Sequence, residues 1–323
     1  MLLKNHGPRL KSCITAMKPY KLMLLTDLQK KMNLRDLEYL VLIDRFKHFG
    51  MAAKNGNISQ PALSMQVKKI EEELGVSIFE RTNKQVITTE VGREVIKIAL
   101  EILIRAKNIK EVAKISQNPY SGTLKIGAFP TLSPYFFPKI IPSITKKYQE
   151  LKLFLIEEKT DILISQLLEG EIDIAFLAMP IDNKEFIVEE IFTDNFFLAV
   201  PKEYKFSERK TINQIELERE NLLLLQEGHC LRDQSLNLCN TIGAIENQSY
   251  QASSMETLRQ MVVAGAGITL IPEIALDKNP LISYIKFNKP EPNRKIAITW
   301  RKSSPREELF YSILEVVKKF VLQ

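Results

Sequence analysis

Cysteine is scarce in this sequence. Its 323 residues hold three, Cys13, Cys230 and Cys239. That is too few for the disulfide framework of a secreted domain, and it points to a reducing, cytoplasmic setting. Cys230 and Cys239 stand nine positions apart in "EGHCLRDQSLNLC". This spacing fits neither a zinc knuckle nor a CxxC redox pair, so no metal site and no cofactor is expected. Long apolar runs are missing too. The longest, "MVVAGAGITLIP" from Met261 to Pro272, falls short of the roughly 18 residues a membrane span requires. There is no low-complexity tract, and 45% hydrophobic with 26% charged residues is ordinary for a soluble globular chain. Neither HExxH, GxSxG, GxGxxG nor a Walker loop occurs, so no enzyme of those classes is expected.

What is present is unevenly charged. The net charge is +6, but residues 1–120 hold 21 Lys and Arg against 12 Asp and Glu, and the rest hold 24 against 27. A basic end suggests a polyanion partner, most often nucleic acid. The length is too great for one core and predicts two or three domains.

Residues 1–31 are broken by Gly7, Pro8 and Pro19 and lack both a periodic pattern and the apolar core of a signal peptide. They read as an unstructured extension or a misassigned start, with Met32 opening the fold. Asn33 is placed to cap a helix with Asp36 in its first turn and Leu34, Leu37 and Val41 on one face. A short helix follows in "HFGMAAKNG", and Gly56 and Asn57 turn the chain. In "SQPALSMQVKKIEEELG", Ser59 caps a third helix, Pro61 is tolerated in its first turn and Gly75 stops it. Leu63, Val67, Ile70 and Leu74 form its buried stripe; Pro61, Met65 and Lys68 lie opposite, flanked by Ser64 and Lys69. Two helices with a tight turn, the second presenting a capped, basic N-terminal half, predict a helix-turn-helix. Its N-terminus and lysines attract phosphate, while Ser59, Gln60 and Ser64 suit base edges. "FERTNKQVITT" predicts a wing of two strands turning at Asn83 and Lys84.

From Glu90 the spacing alternates between four and three. Val91, Val95, Ile98, Ile102, Ile109 and Val112 make a heptad seam, interrupted at Arg105, which predicts a long helix that pairs with a second copy. "NPYSG" ends it. Strand and helix patterns then alternate, predicting an α/β domain with a largely parallel sheet.

The stretch "LEYLVLIDRFKHFGMAAKNGNISQPALSMQVKKIEEELGVSIFERTNKQVITTEVG", with "AGAGITLIP" near the end, resembles the LysR-type transcriptional regulators. The resemblance runs from Met32 nearly to the C-terminus. It implies a winged helix-turn-helix over residues 32–89, a dimerising linker helix over 90–118 and a two-lobed effector domain, like periplasmic binding proteins, over 119–323. Lobe I would span about 121–193 and 296–323, and lobe II about 194–295. The implied assembly is a homotetramer, a dimer of dimers, on promoter DNA, with RNA polymerase as a further partner. Met65 stands where the family usually has Arg or Gly, which leaves its base preference open.

Within that family "GHCLRDQSLNLC", supported by "GAFPTLSPY" and "SSMETLRQMV", is similar to the hydrogen-peroxide sensors. This likeness implies peroxide as the signal and a Cys230–Cys239 disulfide in the oxidised form. It also implies that Thr131 and Thr160 hold the peroxide oxygens, that Asp233 and His229 assist proton transfer, and that Arg294 organises the site. His229 and Arg232 are local candidates for the polar surroundings of the thiol. Were the segment helical, nine rises would set the two backbones roughly 13 Å apart, whereas a disulfide needs them within about 7 Å. Helix and disulfide therefore exclude each other, which is the requirement for a switch. From spacing alone two buried, inert cysteines are the favoured reading, which the full "GHCLRDQ" context reverses; the alternatives are a regulator answering a small organic effector and, behind it, a thiol peroxidase on the same fold.

Overall fold

The computed structural model describes residues 32–81, 86–115 and 118–321. The expectations for residues 1–31, with Cys13, and for the Asn83–Lys84 turn lie outside the described residues. The chain falls into two units that divide between Lys107 and Asn108.

The first unit begins with three helices, α1 (Leu34–Phe46), α2 (Phe49–Asn55) and α3 (Gln60–Leu74). Asn33 caps α1 in a full capping box. Its side chain accepts from Arg35 and Asp36 N–H, and the Asp36 carboxylate accepts from Asn33 N–H at 3.0 Å. His48 caps α2 and Ser59 caps α3, which Gly75 ends in the left-handed region. Tyr39, Leu40, Ile43, Ala52, Leu63, Val67 and Ile70 build one core. Two residues expected on the buried faces depart from them. Leu34 and Leu74 sit at helix ends beyond the packed turns and are exposed.

Strands β1 (Phe79–Arg81) and β2 (Val86–Thr88) pair antiparallel as the wing. Glu71 of α3 is not a solvated charge: its carboxylate accepts from the backbone N–H of Ile78 and Phe79, at 2.7 and 3.0 Å, and anchors the start of the wing. Helix α4 (Glu90–Ile115) follows. Its Ile96 joins the core, with Val95 packed at the margin. Gly92 is needed there because a Cβ would lie 2.2 Å from the Ile78 carbonyl oxygen. The expected seam faces away from that core. Val91, Ile98, Ile102 and Ile109 are exposed and Val95 is half-buried; the Val112 side chain lies outside the described residues.

The second unit contains β3 (Gly122–Ala128), α5 (Ser133–Lys147), β4 (Leu151–Glu157), α6 (Thr160–Leu168), β5 (Ile174–Ala178) and β6 (Phe186–Pro201). These are followed by β7 (Thr211–Ile212), β8 (Asn221–Leu225), α7 (Cys230–Ile242), β9 (Ile245–Ala252), α8 (Met255–Val263) and β10 (Thr269–Pro272). Last come β11 (Ile282–Phe287), β12 (Asn293–Arg301) and α9 (Glu307–Val321). The sheet is mixed rather than largely parallel. β4–β3–β5, β8–β9 and β7–β11 are parallel ladders, but β12 and β10 pair antiparallel with β6, as does β11, and β12 with β5. The physical reason is that β6 and β12 connect two cores. Alternation of helix and strand holds within each core, and the chain crosses between them on antiparallel strands.

One core gathers Leu124, Ile126, Phe136, Ile140, Phe176, Trp300 and Phe310. The other gathers Phe196, Leu198, Leu223, Leu225, Leu231, Leu258 and Ile285. The residue Phe186 of β6 belongs to the first and Phe196 of the same strand to the second.

Candidate functional site

Two surfaces carry the expected residues. The first is the outer face of α3. Ser59, Gln60, Pro61, Lys68 and Lys69 are exposed, Ser64 is half-buried and Met65 is 71% exposed. A methionine held out in water on a capped helix, on the same face as Lys68, has an apolar end free for contact. Among the described residues Lys68 makes a solvent-exposed pair with Glu72 at 3.6 Å, which a phosphate can replace. The hydroxyl of Ser59 accepts from Ala62 N–H at 3.4 Å, so this residue caps the helix that presents the others.

The second surface is the start of α7. The helix is continuous from Cys230 to Ile242, so both cysteines lie on one helical run and roughly 13 Å apart along it. The Cys239 side chain lies outside the described residues. Neighbouring residues of α7 serve different cores: Leu231 is buried in the second, while Cys230 packs against the first. Arg232 does not take part in the thiol's surroundings as expected. Its guanidinium turns the other way and donates to the Leu225 carbonyl at 2.9 Å and to Glu246 at 2.6 Å, tying α7 to β8 and β9.

Four kinds of group act on the Cys230 thiol. Burial pushes its pKa up and outweighs the rest; the Arg294 cation, the Thr160 hydroxyl and the Leu231 backbone N–H favour the thiolate, and Asp233 opposes it. Asp233 is exposed on the first turn of α7, so it reaches the thiol through charge. Thr160 opens α6, whose close approach to β3 needs Gly127, since a Cβ there would lie 2.6 Å from Leu163. The Thr160 hydroxyl is buried, faces the sulfur and makes no well-formed hydrogen bond among the described residues.

Arg294 is the centre of the network. Its side chain is fully buried, donating to the Thr131 hydroxyl at 2.8 Å, the Thr131 carbonyl at 3.1 Å and the Asp194 carboxylate at 2.9 Å. Phe129 and Phe196 lie over the guanidinium, 5.1 and 6.0 Å from its carbon. Asp194 and the two rings were not singled out from the sequence; only the β6–β12 pairing, which sets Arg294 beside Asp194, brings them in.

Thr131 and His229 also line a cleft of about 540 Å³ between the two cores, with Tyr135, Lys159, Gln226 and Glu256. His229 is 5% exposed, and its Nδ1 has no partner among the described residues. Burial, and then the Lys159 cation, pull its pKa down, so it is neutral near pH 7. The Lys159 ammonium donates to the Glu227 carbonyl at 2.8 Å, beside Gly228. Cys230, Thr160, Thr131 and Arg294 are thus brought together, His229 stands at the cleft wall, and Asp233 remains outside.

The chain matches two families in sequence. Residues 34–93 match the bacterial regulatory helix-turn-helix proteins of the lysR family, and residues 117–321 match the LysR substrate binding domain. A hydrogen peroxide-inducible genes activator of Dickeya chrysanthemi is 39% identical over 89% of this chain and 95% of its own length. Among solved structures, a full-length OxyR of Pseudomonas aeruginosa carrying a cysteine-to-aspartate change is 35% identical. It covers 89% of this chain and 95% of its own, with a TM-score of 0.69. An OxyR of Corynebacterium glutamicum with a cysteine-to-serine change and hydrogen peroxide bound is 31% identical, covers 90% and 92%, and gives a TM-score of 0.61. With both of its parts matched and a relative this similar along nearly its whole length, the chain belongs to the LysR family of bacterial regulatory helix-turn-helix proteins.

Proposed function

We propose that this protein is a peroxide-responsive transcriptional regulator of the cytoplasm that binds promoter DNA as a dimer of dimers. In this reading it contacts RNA polymerase and changes its DNA contacts when Cys230 and Cys239 form a disulfide. The observation that carries this reading is the seat of Cys230. The residue opens an intact helix, packs against a different core from its neighbour Leu231, and faces Arg294 and Thr160. Cys239 lies on the same helix, too far away to be reached without unwinding it.

The chemistry takes two steps. The Cys230 thiol gives up its proton, and the thiolate attacks one peroxide oxygen. The O–O bond breaks, a sulfenic acid forms, and the departing hydroxide takes up a proton to leave as water. Thr131 and Thr160 offer hydroxyls for the two oxygens, and neutral His229, with Asp233 near the helix start, is suited to proton traffic. The Cys239 thiol then attacks the Cys230 sulfur, the S–O bond breaks, and a second water leaves as the disulfide forms. Cys230 must quit the first core for this, and α7 must unwind, which changes the surface that one lobe offers the other protomers.

The test is a promoter footprint with and without peroxide, alongside mass spectrometry of tryptic peptides. Trypsin cuts after Arg232, so the expected oxidised species is two peptides joined through Cys230 and Cys239. A footprint that answers peroxide while this species stays absent would overturn the two-cysteine mechanism.

A further inference from the structure

The guanidinium of Arg294 is the cation nearest in effect to the Cys230 thiol, yet nothing in its own strand fixes how it is turned. Two partners do. Thr131 takes one edge, at 2.8 Å from its hydroxyl and 3.1 Å from its carbonyl. Asp194 takes the other: one carboxylate oxygen accepts from Nε at 2.9 Å and lies 2.9 Å from Nη2 as its ion-pair partner. The second oxygen of Asp194 accepts from the backbone N–H of Ile274 at 3.0 Å, which fixes the carboxylate in turn. Arg294 and Asp194 side chains are 0% and 1% exposed, so water cannot substitute for either partner. Asp194 sits where β6 passes between the two cores, directly across the ladder from Arg294 on β12.

We infer that Asp194 is a positioning residue for the Cys230 reaction, turning the Arg294 guanidinium so that its charge bears on the thiol and its Nη1 edge on the Thr131 hydroxyl. The inference rests on the reading of Cys230 as the peroxide-reactive group. The charged and hydrogen-bonding groups that face the thiol are Arg294 from β12, Thr160 from α6, and Asp233 and the Leu231 N–H from α7 itself. Of these, only Arg294 is a cation, and it is aimed by a group on another strand. Without Asp194 the guanidinium loses its hydrogen bond at Nε and its buried anion. It then turns away, and the thiol keeps its proton to higher pH.

The experiment uses the full-length protein and two readouts, each on the Cys230 peptide. One is the rate of reaction with hydrogen peroxide; the other is the pH profile of alkylation by iodoacetamide, which reports thiol ionisation whether or not peroxide is the signal. Wild-type Cys230 that alkylates normally but ignores peroxide would sink the proposed function and leave the positioning role to be judged by alkylation alone. Asp194→Asn is expected to move the alkylation profile up by about one pH unit and to slow both reactions about tenfold below it, the change that one unit of thiol pKa produces. An unchanged profile overturns the inference. So does a profile moved to lower pH, which would make Asp194 a counter-charge that damps Arg294. Because Asp194→Asn leaves a lone buried guanidinium and Arg294→Gln a lone buried carboxylate, both are compared with the neutral pair Asp194→Asn/Arg294→Gln, which leaves neither. Equal rates are expected for the pair and Arg294→Gln, since Asp194 acts only through Arg294; a pair slower than Arg294→Gln alone overturns the inference.

Discussion

At the scale of single residues, the site is governed by the environment and not by intrinsic reactivity. Cys230 is a poor thiolate in the resting protein, because burial outweighs Arg294, Thr160 and the Leu231 N–H together. His229 shows the same control with the opposite charge type. Burial and Lys159 both disfavour its imidazolium, so its pKa in the folded protein lies below the roughly 6.5 of the unfolded chain. The sign of the pH effect follows. As pH falls through about 6.5, the unfolded chain takes up the proton first, so stability present above that pH is progressively lost below it. Thermal unfolding of the full chain between about pH 7.5 and 5 is expected to show a falling Tm, and His229→Asn should flatten that fall. A slope identical in the variant would mean that other groups carry the acid sensitivity.

At the scale of elements, two close contacts hold the DNA-binding unit in shape. The first is α4 against the start of the wing. With a Cβ at position 92 only 2.2 Å from the Ile78 carbonyl oxygen, Gly92→Ala forces backbone to move. It is expected to destabilise the unit by about 1–3 kcal/mol, measurable by denaturant titration of the variant. The second is Glu71 on the wing, which binds the exposed face of α3 to a fixed neighbour. That face is the DNA surface in the proposed function. Lys68→Ala and Lys69→Ala should each weaken binding to any sequence and flatten the plot of log affinity against log salt by about 0.9, the slope of one released phosphate contact. Affinity unchanged in the double variant at moderate salt would place the DNA surface elsewhere. Met65 works differently, since an exposed thioether carries no charge: Met65→Ala should change sequence preference and leave the salt slope alone.

At the scale of the whole molecule, α4 presents an apolar line that the described residues leave exposed. Ile98 and Ile109 are 55% and 71% exposed, on a helix whose opposite side supplies Ile96 to the core. Such a line costs solvation unless another copy covers it. Ile98→Asp with Ile109→Asp should therefore shift the protein toward monomer in sedimentation velocity and weaken promoter binding in parallel, with helix content unchanged. Full self-association in that variant would assign the assembly to other surfaces.

Helix caps, the stripe on α3 and the wing were readable from the sequence because each depends on residues within one or two turns of each other. Asn33, Ser59 and Gly75 satisfy or end their own helices, and Leu63, Val67 and Ile70 fall on one face by period alone. The incompatibility of helix and disulfide between Cys230 and Cys239 was equally local, being a matter of rise per residue. Leu34 and Leu74 departed from the pattern because periodicity assigns a face but not whether the end of that face meets a neighbour. Arg232 departed because its direction is set by Leu225 and Glu246 on adjoining strands. The sheet became mixed, and Asp194 came to lie on Arg294, for one reason. The β6–β12 ladder joins positions a hundred residues apart in the chain, and no local pattern encodes such a pairing. The sequence by itself determined which residues are chemically able to sense and to bind; the tertiary structure alone decided which buried charge faces the thiol, because that depends on strands brought together across two cores.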